Sequence, residues 1–251
     1  WFWRFVCPTN FYFFERGFSV AENFEDFLGL FLGLAALAQF YVVAQGVDAL
    51  CGDEFLRAND LSGSVIDALD EISAVNMQPT NQFATWGGLY SVINRCNIVL
   101  DRYEGVTDPN YTSYDKEADR NKMLALRALC YFYLVRNFRD VPFITTAYMN
   151  SSQERSVAQS SPEYVLQQII NDLEEVAASN NTHSAAAYLV SDWRRVGWMS
   201  DDAVKTLLAD VYLWRASVNH SAADYQRCVD LCNLVIESKK NQHVRDRSET
   251  V

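Results

Sequence analysis

The sequence predicts an all-α fold of irregular helical hairpins with little or no sheet, and three observations support this prediction. Apolar residues recur at i, i+3, i+4 and i+7 in several segments, which is the spacing of one helix face. No segment shows a convincing alternation of apolar and polar residues over the length of a strand. Residues 124–138 and 204–218 share a Leu, Ala, aromatic, Leu pattern, which indicates a repeated helical unit of tetratricopeptide type.

The stretch Met123–Pro142 is predicted to be the central helix. It is apolar on nearly every side, so neighbouring helices must bury it from several directions. Pro142 cannot continue a helix and ends it. The other helices are therefore expected to pack around this one.

Four further helices follow from their apolar stripes and their start signals. One spans Trp86–Tyr103, and the next begins at Pro162 with Ser161 as its N-cap. The third starts after Ser200, and the last begins near Ser221. The residues expected to form the shared core are Trp86, Tyr90, Asn97, Leu126, Phe132 and Tyr212. Asn97 lies on an apolar stripe, so its amide is expected to join two helices or a loop.

The two ends of the chain carry weaker patterns. Residues 1–20 form an irregular aromatic start, and residues 239–251 are expected to be a polar tail. The inward stripe of the last helix is predicted at Tyr225, Cys228, Val229, Cys232 and Ile236. The apolar run 27–44 fits either a buried core helix or a membrane segment, because its length lies near the lower limit for a span. Cys7 lacks the upstream pattern of a lipobox.

Composition and motifs exclude several classes of function. A net charge of −11 and a pI near 4.7 argue against a nucleic-acid partner, which requires clustered Lys and Arg. We find no nucleophile elbow, P-loop, HExxH or dinucleotide glycine pattern, so no catalytic residues and no cofactor are expected. No histidine has the spacing that would complete a metal site with Cys228 and Cys232. Cys96 and Cys130 fall in apolar stretches and are predicted to be core residues.

Five segments in their order along the chain resemble the SusD/RagB-like nutrient-binding outer-membrane lipoproteins of Bacteroidetes. The resemblance covers about residues 20–238, and none of the segments would be specific by itself. The segments are 86–101, 124–144, 161–176, 203–216 and 224–238. The acidic stretch Asp48–Glu54 also looks like one that the family carries near its start.

Two departures from the family pattern stand out. Arg139 occupies a position where family members carry Gly before Asp-Val-Pro, which we expect to be tolerated if the side chain is exposed. The family's members are also about twice as long. The 251 residues are therefore expected to form a single SusD-like helical domain, the N-terminal half of such a protein.

The resemblance implies a non-catalytic component that binds a glycan or another nutrient. Its partner would be a SusC-like TonB-dependent outer-membrane transporter, and the full-length protein would be a lipid-anchored lipoprotein on the cell surface. One alternative is a helical-repeat scaffold for protein partners that has no sugar site of its own. Another is a secreted eukaryotic helical protein, since Asn110, Asn150, Asn180 and Asn219 begin glycosylation triplets.

A candidate ligand site lies in the polar loop before Trp86. Sugar sites combine aromatic rings with amides on loops that water can reach. The loop residues of these types are Asn76, Gln78, Asn81, Gln82 and Phe83. An ordinary solvated loop is the alternative interpretation.

Overall fold

The computed structural model describes residues 63–150, 152–153, 156–182 and 199–249, apart from positions 75, 77 and 82. Within these residues the chain forms six α-helices and a two-stranded antiparallel ribbon. The helices are α1 (Gly63–Ser73), α2 (Gly87–Arg102), α3 (Ser113–Phe138), α4 (Pro162–Ser179), α5 (Asp201–Asn219) and α6 (Ala222–Glu249). The strands are β1 (Val141–Pro142) and β2 (Gln159–Ser160), and Val141 pairs with Ser160. The predicted all-α class is confirmed for this part of the chain.

Four sequence predictions fall outside the described residues. They concern the irregular start at 1–20, the apolar run at 27–44, the acidic stretch Asp48–Glu54 and the residue Gln82. Within the described ranges, none of the helices has both the length and the apolar composition that a bilayer crossing requires.

Each helix from α2 onward packs against the next one along the chain. α2 contacts α3, α3 contacts α4, α4 contacts α5, and α5 contacts α6. The core runs through this array, with Leu126 3% exposed, Phe132 1% exposed and Asn97 1% exposed. Tyr90 and Tyr212 are half-buried and pack against the same core. Cys96 and Cys130 are both buried, and burial raises the pKa of the Cys96 thiol to about 12, so it stays protonated.

The central helix begins earlier than the sequence stripe predicted. α3 starts at Ser113 and is 26 residues long, because Thr112 and Asp115 form a capping box. The Thr112 Oγ1 accepts from the Asp115 N–H at 3.3 Å, and the Asp115 carboxylate accepts from the Thr112 N–H at 3.0 Å. The T-S-Y-D sequence carries this signal, so the earlier start could have been predicted.

The residue after α3 explains why a glycine suits this position. Arg139 has φ 65° and ψ −88°, in the region that non-glycine residues rarely adopt. Its side chain is 83% exposed, as tolerance of Arg would require. The unfavourable feature of Arg139 is therefore its backbone conformation, which exposure of the side chain does not relieve.

Replacing Arg139 with Gly is expected to raise the free energy of unfolding by about 1 kcal/mol, because glycine adopts positive φ without steric cost. Urea unfolding followed by circular dichroism measures the change. The control is Asp140→Gly, at a neighbour without positive φ. The explanation fails if Arg139→Gly lowers stability by as much as Asp140→Gly does.

The last helix turns a different face to the core from the one predicted. Leu231 is 1% exposed and packs on the core, whereas Tyr225, Val229 and Ile236 are 41%, 51% and 51% exposed. Of the predicted stripe only Cys228 packs on the core, and Cys232 is exposed like the other three. The prediction was wrong for those four residues because α6 carries two apolar stripes about 100° apart, and sequence periodicity cannot say which one faces α5. α6 also continues to Glu249, so most of the predicted polar tail is helical.

Three ion pairs among the described residues hold α6 in this orientation, one of them between Lys239 and Asp202 of α5 at 2.9 Å. The Arg215 guanidinium donates to both carboxylate oxygens of Asp224 at 2.7 Å and lowers the pKa of that carboxyl. Arg227 donates to both oxygens of Glu174 at 2.9 and 2.6 Å, which lowers the pKa of Glu174. Arg side chains on α5 and α6 thus fix the rotation of α6 through paired hydrogen bonds.

The orientation of α6 can be tested with two truncations. Leu231→Ala is expected to cost about 2–5 kcal/mol, because it removes a buried side chain. Val229→Ala is expected to change stability by less than about 0.5 kcal/mol. Urea unfolding of both variants measures the difference, and equal losses would contradict the observed orientation.

Candidate functional site

The loop between α1 and α2 is fastened by Asn81. This residue is 8% exposed, and its Nδ2 donates to the Ala68 carbonyl at 2.9 Å and to the Glu71 carboxylate at 2.8 Å. Its Oδ1 accepts from the Phe83 N–H at 2.9 Å. Both N–H groups of the amide are used within the protein, so Asn81 pins the loop onto α1 and presents no free donor to a ligand.

Two other loop amides lie together at the surface. Gln78 and Asn76 are exposed, and the Gln78 Nε2 donates to the Asn76 Oδ1 at 3.2 Å and to its carbonyl at 3.1 Å. The Gln78 N–H donates to the Glu71 carboxylate at 3.2 Å. Phe83 is half-buried. Of the predicted loop residues that the structure describes, Asn76 and Gln78 are the ones open to water.

The ring of Trp86 lies at the surface, and its prediction as a core residue was wrong. The side chain is 36% exposed, because Trp86 is the N-cap of α2 and precedes the helix that carries the buried stripe. Its ring meets Tyr90 edge-on at 5.8 Å and Phe138 at 5.6 Å with a 58° tilt. Trp86 therefore presents an aromatic surface to solvent that two rings support from the protein side.

This ring is one end of a continuous aromatic cluster. Tyr90 meets Tyr131 edge-on at 6.4 Å, Tyr131 packs on Phe143 at 4.6 Å, and Phe143 meets Tyr164 edge-on at 5.9 Å. The Tyr90 hydroxyl donates to the Pro142 carbonyl at 2.7 Å, and burial raises its pKa above the usual range. The Tyr90 ring that contacts Trp86 is therefore itself packed and hydrogen-bonded.

A groove begins beside Trp86 and follows α2. Its floor is α2 and its wall is the 142–149 segment, the chain that follows α3. The Asn94 Nδ2 donates to the Tyr148 carbonyl at 2.9 Å, and the Asn94 Oδ1 accepts from the Tyr148 N–H at 2.7 Å. This first groove has a volume of about 290 Å³ and is lined by Gly87, Tyr90, Ser91, Ile93, Asn94, Asn97, Ile144 and Tyr148.

A second groove lies further along α2, toward the C-terminal end of that helix. It has a volume of about 440 Å³ and is lined by Asn97, Leu100, Asp101, Thr145, Thr146, Ala147, Met149 and Gln153. Thr145 and Thr146 are exposed, so this groove is the more polar one. Asn97 borders both grooves.

The chemistry of the grooves suits binding. Asp101 is the one carboxylate among the described residues that line them, whereas glycoside cleavage uses a pair of carboxyl groups. The described ranges contain no cluster of three or more His, Cys, Asp or Glu side chains arranged to hold a metal ion. The grooves are lined mainly by aromatic rings, amides and hydroxyls, and such groups stack on and hydrogen-bond to neutral polar ligands.

Sequence reasoning missed Trp86 as a surface ring and missed the groove residues Asn94 and Tyr148. A signal existed for Trp86, because it immediately precedes the helix-starting pair Gly87-Gly88 and N-cap residues lie at a helix end. No sequence signal pairs Asn94 with Tyr148, which is 54 positions away.

A family model described as "SusD-like_3: Starch-binding associating with outer membrane" matches residues 52–213. Two curated relatives from Formosa agariphila support it. SusD-like protein P38 is 31% identical over 165 residues, which cover 64% of this chain and 31% of the relative. SusD-like protein P25 is 26% identical over 154 residues, or 60% of this chain and 27% of the relative. The chain therefore spans less than a third of the length of these relatives.

Solved structures give the same result. A laminarin-binding SusD-like protein is 30% identical with a TM-score of 0.53, over 66% of this chain and 34% of that one. A SusD superfamily protein from Bacteroides thetaiotaomicron shares the fold with a TM-score of 0.66 at 18% identity, over 86% of this chain and 48% of that one. The family match, which covers more than half of the sequence, establishes that this chain belongs to the SusD-like family.

Proposed function

We propose that this chain is a non-catalytic glycan-binding protein and that the Trp86 ring and the two grooves on α2 form its contact surface. The observation that supports this proposal best is the ring of Trp86, which faces solvent while Tyr90 and Phe138 hold it from behind. A sugar ring can stack on such a surface, because its C–H face is apolar and its hydroxyls reach neighbouring amides and hydroxyls.

The wider setting of this proposal is nutrient uptake at the outer membrane. The family description names association with that membrane, and a similar solved structure is named laminarin-binding. We propose a SusC-like TonB-dependent transporter as the partner and a lipid anchor in the full-length protein. The glycan would be held beside the transporter and passed to it without cleavage.

Affinity electrophoresis tests glycan binding directly. The 251-residue chain is run in native gels that contain laminarin, starch or another soluble glycan, with bovine serum albumin as the non-binding standard. Retardation in at least one glycan is the expected result. A folded chain that migrates with albumin in every gel would contradict a sugar site in this part of the protein.

The loop before Trp86 is proposed to form the rim of the same surface. Replacing Asn76, Gln78, Gln82 and Phe83 together with Ala is expected to weaken glycan binding while the fold is kept. Asn81→Ala is the contrasting variant, because its amide fastens the loop and its loss should lower the melting temperature. Unchanged glycan affinity in the fourfold variant would show that the loop is not part of the binding surface.

A second candidate function is a helical scaffold for the transporter that has no sugar site in this chain. The exposed apolar stripe on α6, at Tyr225, Val229 and Ile236, favours a protein contact. In this case no glycan retards the chain, but the SusC-like transporter still captures it. Val229→Lys with Ile236→Lys should then abolish capture, and unchanged capture would contradict this contact.

A further inference from the structure

The 142–149 segment lines both grooves, and Asn97 is one of the residues that hold it in place. The Asn97 Nδ2 donates to the Ile144 carbonyl at 3.1 Å and to the Thr146 carbonyl at 3.3 Å. Asn97 is 1% exposed, whereas Ile144 is half-buried and Thr146 is exposed, so these bonds join the core to the surface segment. The Tyr131 hydroxyl also donates to the Ile144 carbonyl at 2.9 Å. Asn97 and Tyr131 together therefore hold this part of the segment, and Asn97 alone of the two reaches Thr146.

Asn97 is held in turn by residues on two other helices. Its Oδ1 accepts from the Arg127 Nη1 at 3.0 Å, and the Arg127 Nη2 donates to the Asp172 carboxylate at 2.8 Å. Arg127 is 7% exposed and lies on α3, and Asp172 lies on α4. Asp172, Arg127 and Asn97 form a continuous series of contacts, here named the Asp172 relay, which ends at the groove wall.

The relay determines which way the Asn97 amide points. A guanidinium has only donors, so the amide oxygen must face Arg127. The amide N–H groups then face the two loop carbonyls, which need donors. With the amide reversed, its NH₂ would meet the guanidinium and its oxygen would meet the carbonyls, and both contacts would be repulsive. Asp172 holds the guanidinium in the place where it imposes this orientation.

We propose that Asp172 and Arg127 are positioning residues for ligand binding, although neither lines a groove. They act through Asn97, which sets the 142–149 segment and hence the shape of both grooves. The part of this inference that concerns affinity rests on the proposed glycan-binding function. The part that concerns the segment itself does not depend on that function.

A second, more exposed ion pair between the same two helices provides a control. Arg120 and Glu175 also join α3 to α4, and the Arg120 Nη1 lies 2.8 Å from the Glu175 Oε1. Among the described residues neither of them lines a groove. The relay therefore predicts different consequences for two carboxylates that lie three positions apart on one helix.

The experiment compares Asp172→Ala, Asp172→Glu and Glu175→Ala by hydrogen exchange. The reporters are the Ile144 amide, which donates to the Tyr131 hydroxyl at 2.7 Å, and the Tyr148 amide.

Asp172→Ala is expected to raise their exchange rates about tenfold and to weaken glycan binding about tenfold, as expected for losing a buried hydrogen-bond partner. Asp172→Glu should recover most of both losses, and Glu175→Ala should change neither. Exchange at the buried Leu208 amide of α5 shows whether any change is local.

Asn97→Ala provides a second variant in case Asp172→Ala fails to fold. It removes the donors to the segment and one acceptor of the Arg127 guanidinium, but the charge of Arg127 stays paired with Asp172. It should raise exchange at Ile144 and Tyr148 and weaken binding to a similar extent. Unchanged exchange at both amides in the folded variants, or equal effects of Glu175→Ala and Asp172→Ala, would overturn the relay. If the parent chain binds no glycan, the proposed function fails, while the exchange measurements still decide whether the relay exists.

Discussion

Replacing Phe132 with alanine is expected to lower the free energy of unfolding by about 3–5 kcal/mol. Phe132 is 1% exposed in the middle of α3. Its ring meets Trp214 of α5 edge-on at 6.4 Å, and the Arg136 guanidinium lies 5.1 Å from the ring centroid. The truncation would leave a cavity between two helices and remove an aromatic pair, and both losses destabilise the fold.

Urea unfolding measures this loss through the shift of the midpoint at constant m-value. The control is Phe138→Ala, on the same helix at a half-buried position, which should cost clearly less. A loss below about 1 kcal/mol for Phe132→Ala would contradict the central place of α3 in the core.

Replacing Trp86 with alanine is expected to weaken glycan binding at least tenfold, because truncating a central Trp in a binding surface typically costs 2 kcal/mol or more. The melting temperature should fall by less than in a core truncation, since the side chain is 36% exposed and loses only its contacts with Tyr90 and Phe138. Had Trp86 been a core residue, the same substitution would cost about 3–5 kcal/mol of stability. The single variant therefore separates a binding role from a packing role.

Two controls make the Trp86 result specific. Trp86→Phe keeps an aromatic surface and should recover part of the affinity. Tyr114→Ala removes an exposed ring, 55% accessible, that lines neither groove. Equal losses of affinity in Tyr114→Ala and Trp86→Ala would show that the effect does not come from the α2 surface.

The sequence by itself determined the helices whose signals are local. Ser161 and Ser200 cap α4 and α5 by accepting from the N–H groups of Tyr164 and Ala203, and both helix starts were predicted at these residues. The α4 stripe from Val165 to Val176 is buried as its spacing predicted. Capping and periodicity depend on residues within one or two turns, so they can be recognised in a single sequence. The five family-like segments also indicated, from the sequence alone, that the fold is SusD-like.

The tertiary structure decided everything that depends on which surfaces meet. α6 has two apolar stripes, and only packing against α5 buries Leu231 and leaves Val229 outside. Trp86 fits the α2 stripe in sequence but lies beyond its buried part. The grooves depend on hydrogen bonds from Arg127 to Asn97, 30 positions away, and to Asp172, 45 positions away. Such bonds form when packing excludes water and each buried polar group takes the nearest available partner, and no local pattern in the sequence names that partner.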